Sequence, residues 1–420
     1  MHLSEAIHLL RAEPRARLFF AALAQSSLGT GAAYVGLLLL AYQRFRSPWA
    51  ITLVLLADFL PAMFLGPVLG AAADRWSRRG CAVVADVLRA GAFLALALVG
   101  SFELTVAFAL LAGVGTGLFK PAVLAGMPVL VSRERTASAT SLYGAITDIG
   151  YTAGPALAGA ALIVMSPGTL LAVNGATFAV SAIVLARLPL DRAERRAAPR
   201  PARASLFAEA GHGLRATAGM VGIRSLVVIS AAAMFFGGMF NVAEVPYAKL
   251  DLGTTGSGFS VMVALFGLGF ILGSLSGSAG GAADVLKRRY LAGLFVMGLS
   301  GTVVGLAPTL AVVLVPLTLA GFGNGLFLVH ERLLIQSQVP ETLQGRVFAI
   351  TDALVSWGFA AAFISAGAVT DLAGARPVVL ATGIGSLTLA CMATVALRGH
   401  WLRDRPATEV VNEPSPGLTR

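Results

Sequence analysis

The sequence predicts an all-α membrane protein in which twelve transmembrane helices form two parallel six-helix repeats around a central cavity. Three observations predict it. Hydrophobic residues make up 57% of the 420-residue chain and charged residues 12%, with a mean hydropathy of +0.81. A chain of that composition has too little polar surface to face water on all sides. Apolar runs of ~20 residues, long enough to cross ~30 Å of hydrocarbon at ~1.5 Å per residue, recur from end to end. Finally, the two halves repeat. GAAADRWSRR from Gly70 matches GGAADVLKRR from Gly280, GVGTGLF from Gly113 matches GFGNGLF from Gly321, and AITD occurs at both Ala145 and Ala349. The matches keep their order, and an even number of spans per half preserves orientation, so the repeats are parallel.

The first six spans are expected at residues 17–42, 49–73, 81–101, 104–131, 138–165 and 168–188. The second six are expected at 224–248, 257–281, 289–306, 309–331, 344–369 and 376–398. Residues 191–222 (DRAERRAAPRPARAS and onward) are the one long polar stretch and read as a basic linker near anionic lipid. The expected organisation is therefore an N-terminal bundle at 1–190, the linker, a C-terminal bundle at 223–400 and a tail at 401–420. The net charge of +10 is read as topology, not as nucleic-acid binding. With the N-terminus inside, 25 of the 31 Lys and Arg fall on inner segments, as the excess of basic residues in cytoplasmic loops requires. The chain is thus expected in the cell (inner or plasma) membrane with both termini cytoplasmic.

No cofactor or metal is expected. Cys81 and Cys391 lie at or in apolar segments without a metal-binding or redox spacing. No G-x-x-x-x-G-K-[ST] loop is present to use ATP, and no nucleophile, base and orienting group occur at a catalytic spacing. The first apolar run lacks a small-residue cleavage site and is read as a retained span.

Gly70, Asp74, Arg75, Arg78 and Arg79 in GAAADRWSRR closely resemble the G-x-x-x-D-[RK]-x-[GS]-R-[RK] loop between helices two and three of the major facilitator superfamily. The degenerate copy at Gly280, the twelve spans and the central basic loop extend the resemblance over the whole chain. In that family the Asp and the basic residues form a breakable latch against helix eleven; the alternative is that the basic residues are only topogenic. In span five, Gly150, Gly154, Pro155 and Gly159 resemble the G-x-x-x-G-P-x-x-G-G motif of exporters in the superfamily, with Ala158 replacing one Gly. Small residues four apart allow close helix contact and Pro155 bends the helix. Gly269, Gly273, Gly277 and Gly281 of span eight are expected to form the facing ridge.

Charges within spans are costly and point to function. Asp58 falls near the middle of span two and is either a proton carrier or a structural partner. Asp148 and Asp352 occupy equivalent repeat positions, which favours an architectural role. Lys120 in span four either neutralises Asp58 or Asp148 or meets an acidic group on substrate. Glu244 is expected in water near the outer end of span seven, and Asp86 and Arg89 are expected to pair. Two family positions depart from the proton-driven pattern, with Ala109 where an Arg is common and Thr30 where an acid is. The glycine run ending in Phe119-Lys120-Pro121-Ala122 is similar to the macrolide and siderophore exporter branch.

These readings imply a transporter exporting small, largely apolar compounds by rocking of two bundles, with protons as the counter-ion. Gln25, Tyr34, Lys120, Phe235, Asn241 and Asn324 are the candidate cavity residues. The expected partners are a small-molecule substrate, protons and membrane lipid, with no nucleic acid, and the expected unit is a monomer. The rival readings are a lipid, lysolipid or siderophore transporter, or a transport-inactive sensor or scaffold.

Overall fold

The computed structural model describes residues 3–65, 69, 76–191, 219–254, 256–276 and 282–397. Within these residues the chain is helical. A short helix α1 (Leu3–Ala12) precedes six long ones, α2 (Pro14–Phe45), α3 (Pro48–Phe64), α4 (Arg78–Leu98), α5 (Phe102–Gly126), α6 (Thr136–Ala161) and α7 (Pro167–Ala186). Six more follow, α8 (Val221–Pro246), α9 (Gly256–Ser276), α10 (Ala283–Leu306), α11 (Leu310–Gln338), α12 (Glu341–Ala373) and α13 (Ala375–Ala396). Ten described helices are long and apolar enough to cross a membrane, and α3 is a shorter apolar helix. α6 completes the twelve.

The helix starts follow from local chemistry. Ser47, Ser77, Ser101 and Ser166 each accept a hydrogen bond from a first-turn N–H of α3, α4, α5 and α7. Pro stands in the first turn of α2, α3 and α7, where its missing N–H costs nothing. Beside the caps at Ser47 and Ser101, Arg44 donates to the carbonyls of Leu96, Ala97 and Val99 at the end of α4. Arg376 donates to Ala307 O at the end of α10 and to Asp251. Both cations satisfy helix C-terminal carbonyls and complement their negative dipole ends. The expected fourth span, 104–131, is cut short because Pro128 continues α5 as the 3₁₀ turn Met127–Val129. The expected tenth ends too early at 331, since α11 runs on to Gln338.

The two glycine runs make equivalent contacts. Gly113 lies against the backbone carbonyl of Asp58 and Gly117 against Ala62, both in α3, while Gly115 faces Ala85 and Arg89 of α4. In the second half Gly321 and Gly325 lie against Phe266 and Phe270 of α9, and Gly323 against Gly293 and Met297 of α10. In each half one glycine helix is thus wedged between the two preceding spans at backbone contact, which only a missing side chain allows. Outside the contacts, large apolar residues such as Val228, Leu299, Val315 and Met392 are exposed, as a lipid-facing surface requires.

Gly70, Asp74, Arg75, Gly277, Gly281 and residues 192–218 lie outside the described residues. Arg78 and Arg79, the described basic residues of the loop motif, are held within their own half. Arg78 donates to Ala125 O at 2.8 Å, at the end of α5. Asp191, past the end of α7, accepts from Ser77 Oγ at 2.7 Å and from the Arg79 N–H at 3.3 Å. Burial alone would raise the Asp191 pKa, but these bonds, a backbone bond from Arg78 and the Arg79 charge hold it below the ordinary carboxylate range. A depressed carboxylate stabilises above its unfolded pKa, ~3.9, and the contribution is lost as pH falls through the lower folded value. Because the side chain is 39% exposed, Asp191→Asn should cost less than about 1 kcal/mol at neutral pH. Thermal melts of both proteins should differ at pH 7 and converge only as the pH falls below the depressed folded value.

Candidate functional site

The two halves meet along α3 with α12 and along α6 with α9. Near the start of α3 and the end of α12, Thr52 Oγ1 donates to Phe363 O at 3.1 Å, and Gly367 packs against the same threonine. Near the end of α6 and the start of α9, Gly159 lies against Ser260 O and Ala264, and Gly267 packs on Ala156. Both seams therefore close on the face that carries the α3 and α9 N-termini. The other face carries the α2 N-terminus, the α3 C-terminus and Asp191, and is called the linker face below.

Toward the linker face lies a cavity of about 1120 Å³ between the halves, within reach of Thr30, Phe59, Lys120, Asp148, Arg332 and Asp352. Its charged groups come from both halves. Arg332 Nη1 of α11 meets Asp148 Oδ2 of α6 at 2.5 Å, and the two side chains are 60% and 49% exposed, so water reaches them and the pair is screened. Lys120 is exposed in the same cavity, and its charge acts on Asp352, as does that of Arg332. Among the described residues no carboxylate lies within ion-pair distance of Lys120.

A second, smaller cavity of about 210 Å³ lies nearer the sealed face. Tyr34 and Pro155 supply the N-half wall, and Asn241, Glu244, Phe266 and Asn324 are among the C-half residues opposite. Phe359 of α12 lines both cavities and so forms a wall between them.

Behind the larger cavity sits a buried ion pair. Arg89 Nη2 donates to Asp86 Oδ1 one turn back on α4, with side chains 7% and 0% exposed. The guanidinium stacks between the rings of Phe119 and Phe178, 4.1 and 4.2 Å from their centroids. Asp86 and Arg89 thus form the pair read from their spacing.

The cavity candidates divide. Tyr34, Asn241 and Asn324 line the small cavity, and Lys120, Asp148 and Asp352 line the large one. Gln25 donates to Thr177 O at 2.8 Å, which ties it to α7, and neither Gln25 nor Phe235 lines these two cavities. Asp58 also lies off both linings, half-buried on α3, with Arg89 as the cation that acts on it.

The glycine ridges divide in the same way. Gly150 and Gly154 pack on Ser27 and Gly31 of α2, within their own half. Gly269 and Gly273, expected to face α6, instead lie against Thr318 and Phe322 of α11. Among the described glycines of these helices, Gly159 of α6 packs on Ser260 and Ala264 of α9, and Gly267 of α9 packs on Ala156 of α6. Glu244, expected in water near the outer end of span seven, is half-buried and lines the smaller cavity. Arg332 escaped the sequence reading because α11 outlasts its expected end and it counted as a loop cation, whereas the buried His330 and Glu331 fall inside the expected span and were not singled out. The repeated AITD could have pointed to a partner for Asp148, but not to which helix supplies it.

A family model described as transmembrane secretion effector matches residues 10–415. Multidrug efflux pump Tap of Mycolicibacterium fortuitum is 27% identical over 394 residues, 90% of this chain and 95% of that protein. Macrolide efflux protein A of Streptococcus pyogenes is 24% identical over 356 residues, 81% of this chain and 85% of that one. Among solved structures, a mutant of the nucleoside transporter NupG aligns with a TM-score of 0.71 at 13% identity, covering 91% of this chain and 100% of that chain. A bacterial homologue of the human lysosomal transporter Spinster, inward-facing and unoccupied, aligns with a TM-score of 0.67 at 14% identity, covering 96% and 99%. At such identities the solved structures show the fold alone. With the family model spanning nearly the whole chain and the twelve helices enclosing a central cavity, the chain belongs to the transmembrane secretion effector family of the major facilitator superfamily.

Proposed function

We propose that this chain exports small, largely apolar compounds across the plasma membrane by alternating access, with protons moving inward in exchange. The observation that carries the reading is the asymmetry of the interface between the halves. The seams are closed at Thr52 and Gly159, while a cavity of about 1120 Å³ with exposed charges lies toward the other face. With the linker face cytoplasmic, as the basic residues favour, this is an inward-open state able to load substrate from the cell interior. The relatives named as multidrug and macrolide efflux proteins support export of such compounds. Both termini are then cytoplasmic, the unit is a monomer in contact with lipid, and residues 1–190 and 223–400 rock as two bodies.

In this cycle the loop motif at Gly70, Asp74 and Arg75 latches the opposite, outward-open state. The intra-half bonds of Arg78 and Arg79 are those of the released latch. Gly150, Gly154 and Pro155 set the packing of α6 on α2, and Gly159 forms the sliding contact with the other half. Asp74→Asn should then slow transport while leaving substrate affinity within about twofold, since the latch biases states without touching substrate.

Asp58 is the proposed coupling group. Among the described residues its carboxylate accepts no hydrogen bond and forms no ion pair; its backbone carbonyl lies against Gly113, and Arg89 is the cation that acts on its side chain. Asp148 and Asp352 are the second reading, favoured by the ion pair that Arg332 makes across the halves. Reconstituted in proteoliposomes with erythromycin as the probe, the wild type should accumulate it when a pH gradient is imposed. Asp58→Asn should abolish that accumulation yet permit downhill exchange. Uphill accumulation by the variant at the wild-type rate would remove Asp58 from coupling. No uphill movement by the wild type, with erythromycin or across a dye and antibiotic panel, would overturn proton-driven export.

A further inference from the structure

Glu244 has no partner in the fold. Its carboxylate accepts no hydrogen bond and makes no ion pair among the described residues, and it is the one charged side chain lining the 210 Å³ cavity. The rest of the wall is largely aromatic and thioether, including Phe240, Phe266, Phe359 and Met262, with Tyr34 opposite from the N-half. A second polar group there is also unsatisfied. Asn324 lines the same cavity, and its buried Oδ1 has no hydrogen-bond partner. The Glu244 carboxylate and Asn324 Oδ1, neither hydrogen-bonded among the described residues, would each be satisfied by a ligand bearing positive charge or N–H donors. The ring faces add a negative quadrupole on the same side of the argument.

We propose that the Glu244 cavity is a subsite for a cationic amine, anchored by the Glu244 carboxylate within the aromatic wall. Its volume lies below the ~300–1,000 Å³ of drug-sized pockets, so it takes a compact amine or the amine-bearing end of a larger molecule. The body of a larger substrate lies beyond Phe359 in the 1120 Å³ cavity. The inference refines the export reading by adding a charge preference to a substrate otherwise defined as apolar.

Benzyltrimethylammonium and its neutral carbon isostere neopentylbenzene share shape and differ in charge, and neither titrates. Binding of each to the purified full-length chain in detergent, read by calorimetry and by ligand-induced thermal shift, tests the subsite without any transport step. The wild type should prefer the cation. Glu244→Gln should weaken the cation about tenfold or more and change the neutral isostere by less than about twofold. Gly237 lines the cavity with open space at its Cβ position, so Gly237→Leu should block both probes and identify the cavity as the place they bind. Unchanged cation affinity in Glu244→Gln, or a parallel loss of both probes, overturns the proposal. So does equal binding of both probes by the wild type. If Glu244→Gln does not fold, loss of the cation preference must appear in Tyr34→Leu and Phe266→Leu instead, and its retention there is equally decisive. Transport of chloramphenicol, which carries no charge, measured beside these assays separates the readings, because export of a neutral compound can persist without an amine preference.

Discussion

Asp86→Ala should destabilise this chain by about 3–5 kcal/mol, because it strands the buried Arg89 guanidinium without its partner. The pair is buried at the wall of the larger cavity, with Arg89 held between Phe119 and Phe178 and its Cγ near the Cβ position of Gly115. Neither snorkelling nor repacking is open to a side chain clamped on both flat faces. Arg89→Lys should fail for a related reason, since an ammonium lacks the planar surface that stacks on two rings. Replacing both residues at once, as Asp86→Asn with Arg89→Met, should recover much of the loss, since a buried pair contributes less than its removal by halves costs. Thermal unfolding of the wild type, Asp86→Asn, Arg89→Met and their double variant in one detergent gives the cycle, and similar losses for the single and double variants would show that the charge itself is not the cause.

The second large effect is expected at Gly159. A Cβ there would collide with Ser260 O and lie 2.9 Å from Ala264 Cβ, so Gly159→Leu drives a wedge into the α6–α9 seam on the closed face. Overpacking of this kind costs about 1–3 kcal/mol, but it acts only on the state in which the seam is shut. The balance between access states should shift by about one to two powers of ten. Turnover should fall toward background while the melting temperature changes little, since each half keeps its own packing. A matched substitution at Gly154, Gly154→Leu, meets the Gly31 Cα and the Ala32 N–H within the N-half and should unfold that half instead. If both variants lose stability alike, Gly159 is a packing residue and not a seam residue.

Much of the fold was legible because lipid makes it so. Each span must be long, apolar and internally hydrogen-bonded, and most expected span ends lie within a few residues of the described helices. Pro128 and the long end of α11 account for two departures, the ninth span begins at Ala283 and not at 289, and the expected ends of spans two and eight lie outside the described residues. The repeats were readable because Gly113, Gly115 and Gly117 recur as Gly321, Gly323 and Gly325, and backbone contact tolerates no other residue. The pairing of Asp86 with Arg89 was readable because one helical turn fixes it. What could not be read is which neighbour each helix face meets. Gly269 and Gly273 have the spacing of a ridge whichever helix they touch, and only the packing assigns them to α11. Gln25 looked free until α7 offered it the Thr177 carbonyl. Arg332 looked topogenic because the hydropathy of α11 ends before its hydrogen bonds do. Glu244 looked wet because its position along α8 says nothing of the cavity that α9 and α11 close around it.

The central claim is that the face carrying Thr52 and Gly367 must open for substrate to leave. A Cβ built at Gly367 falls 3.2 Å from Thr52 Cβ, close to the ~3.5–4.5 Å that a disulfide requires. The direct measurement is transport by Thr52→Cys with Gly367→Cys, in a background where Cys81 and Cys391 are replaced by Ala. Oxidation should form the cross-link between α3 and α12 and stop turnover, reduction should restore it, and substrate binding from the linker face should survive in both states. Turnover by the fully cross-linked protein at the rate of the reduced one would contradict the account.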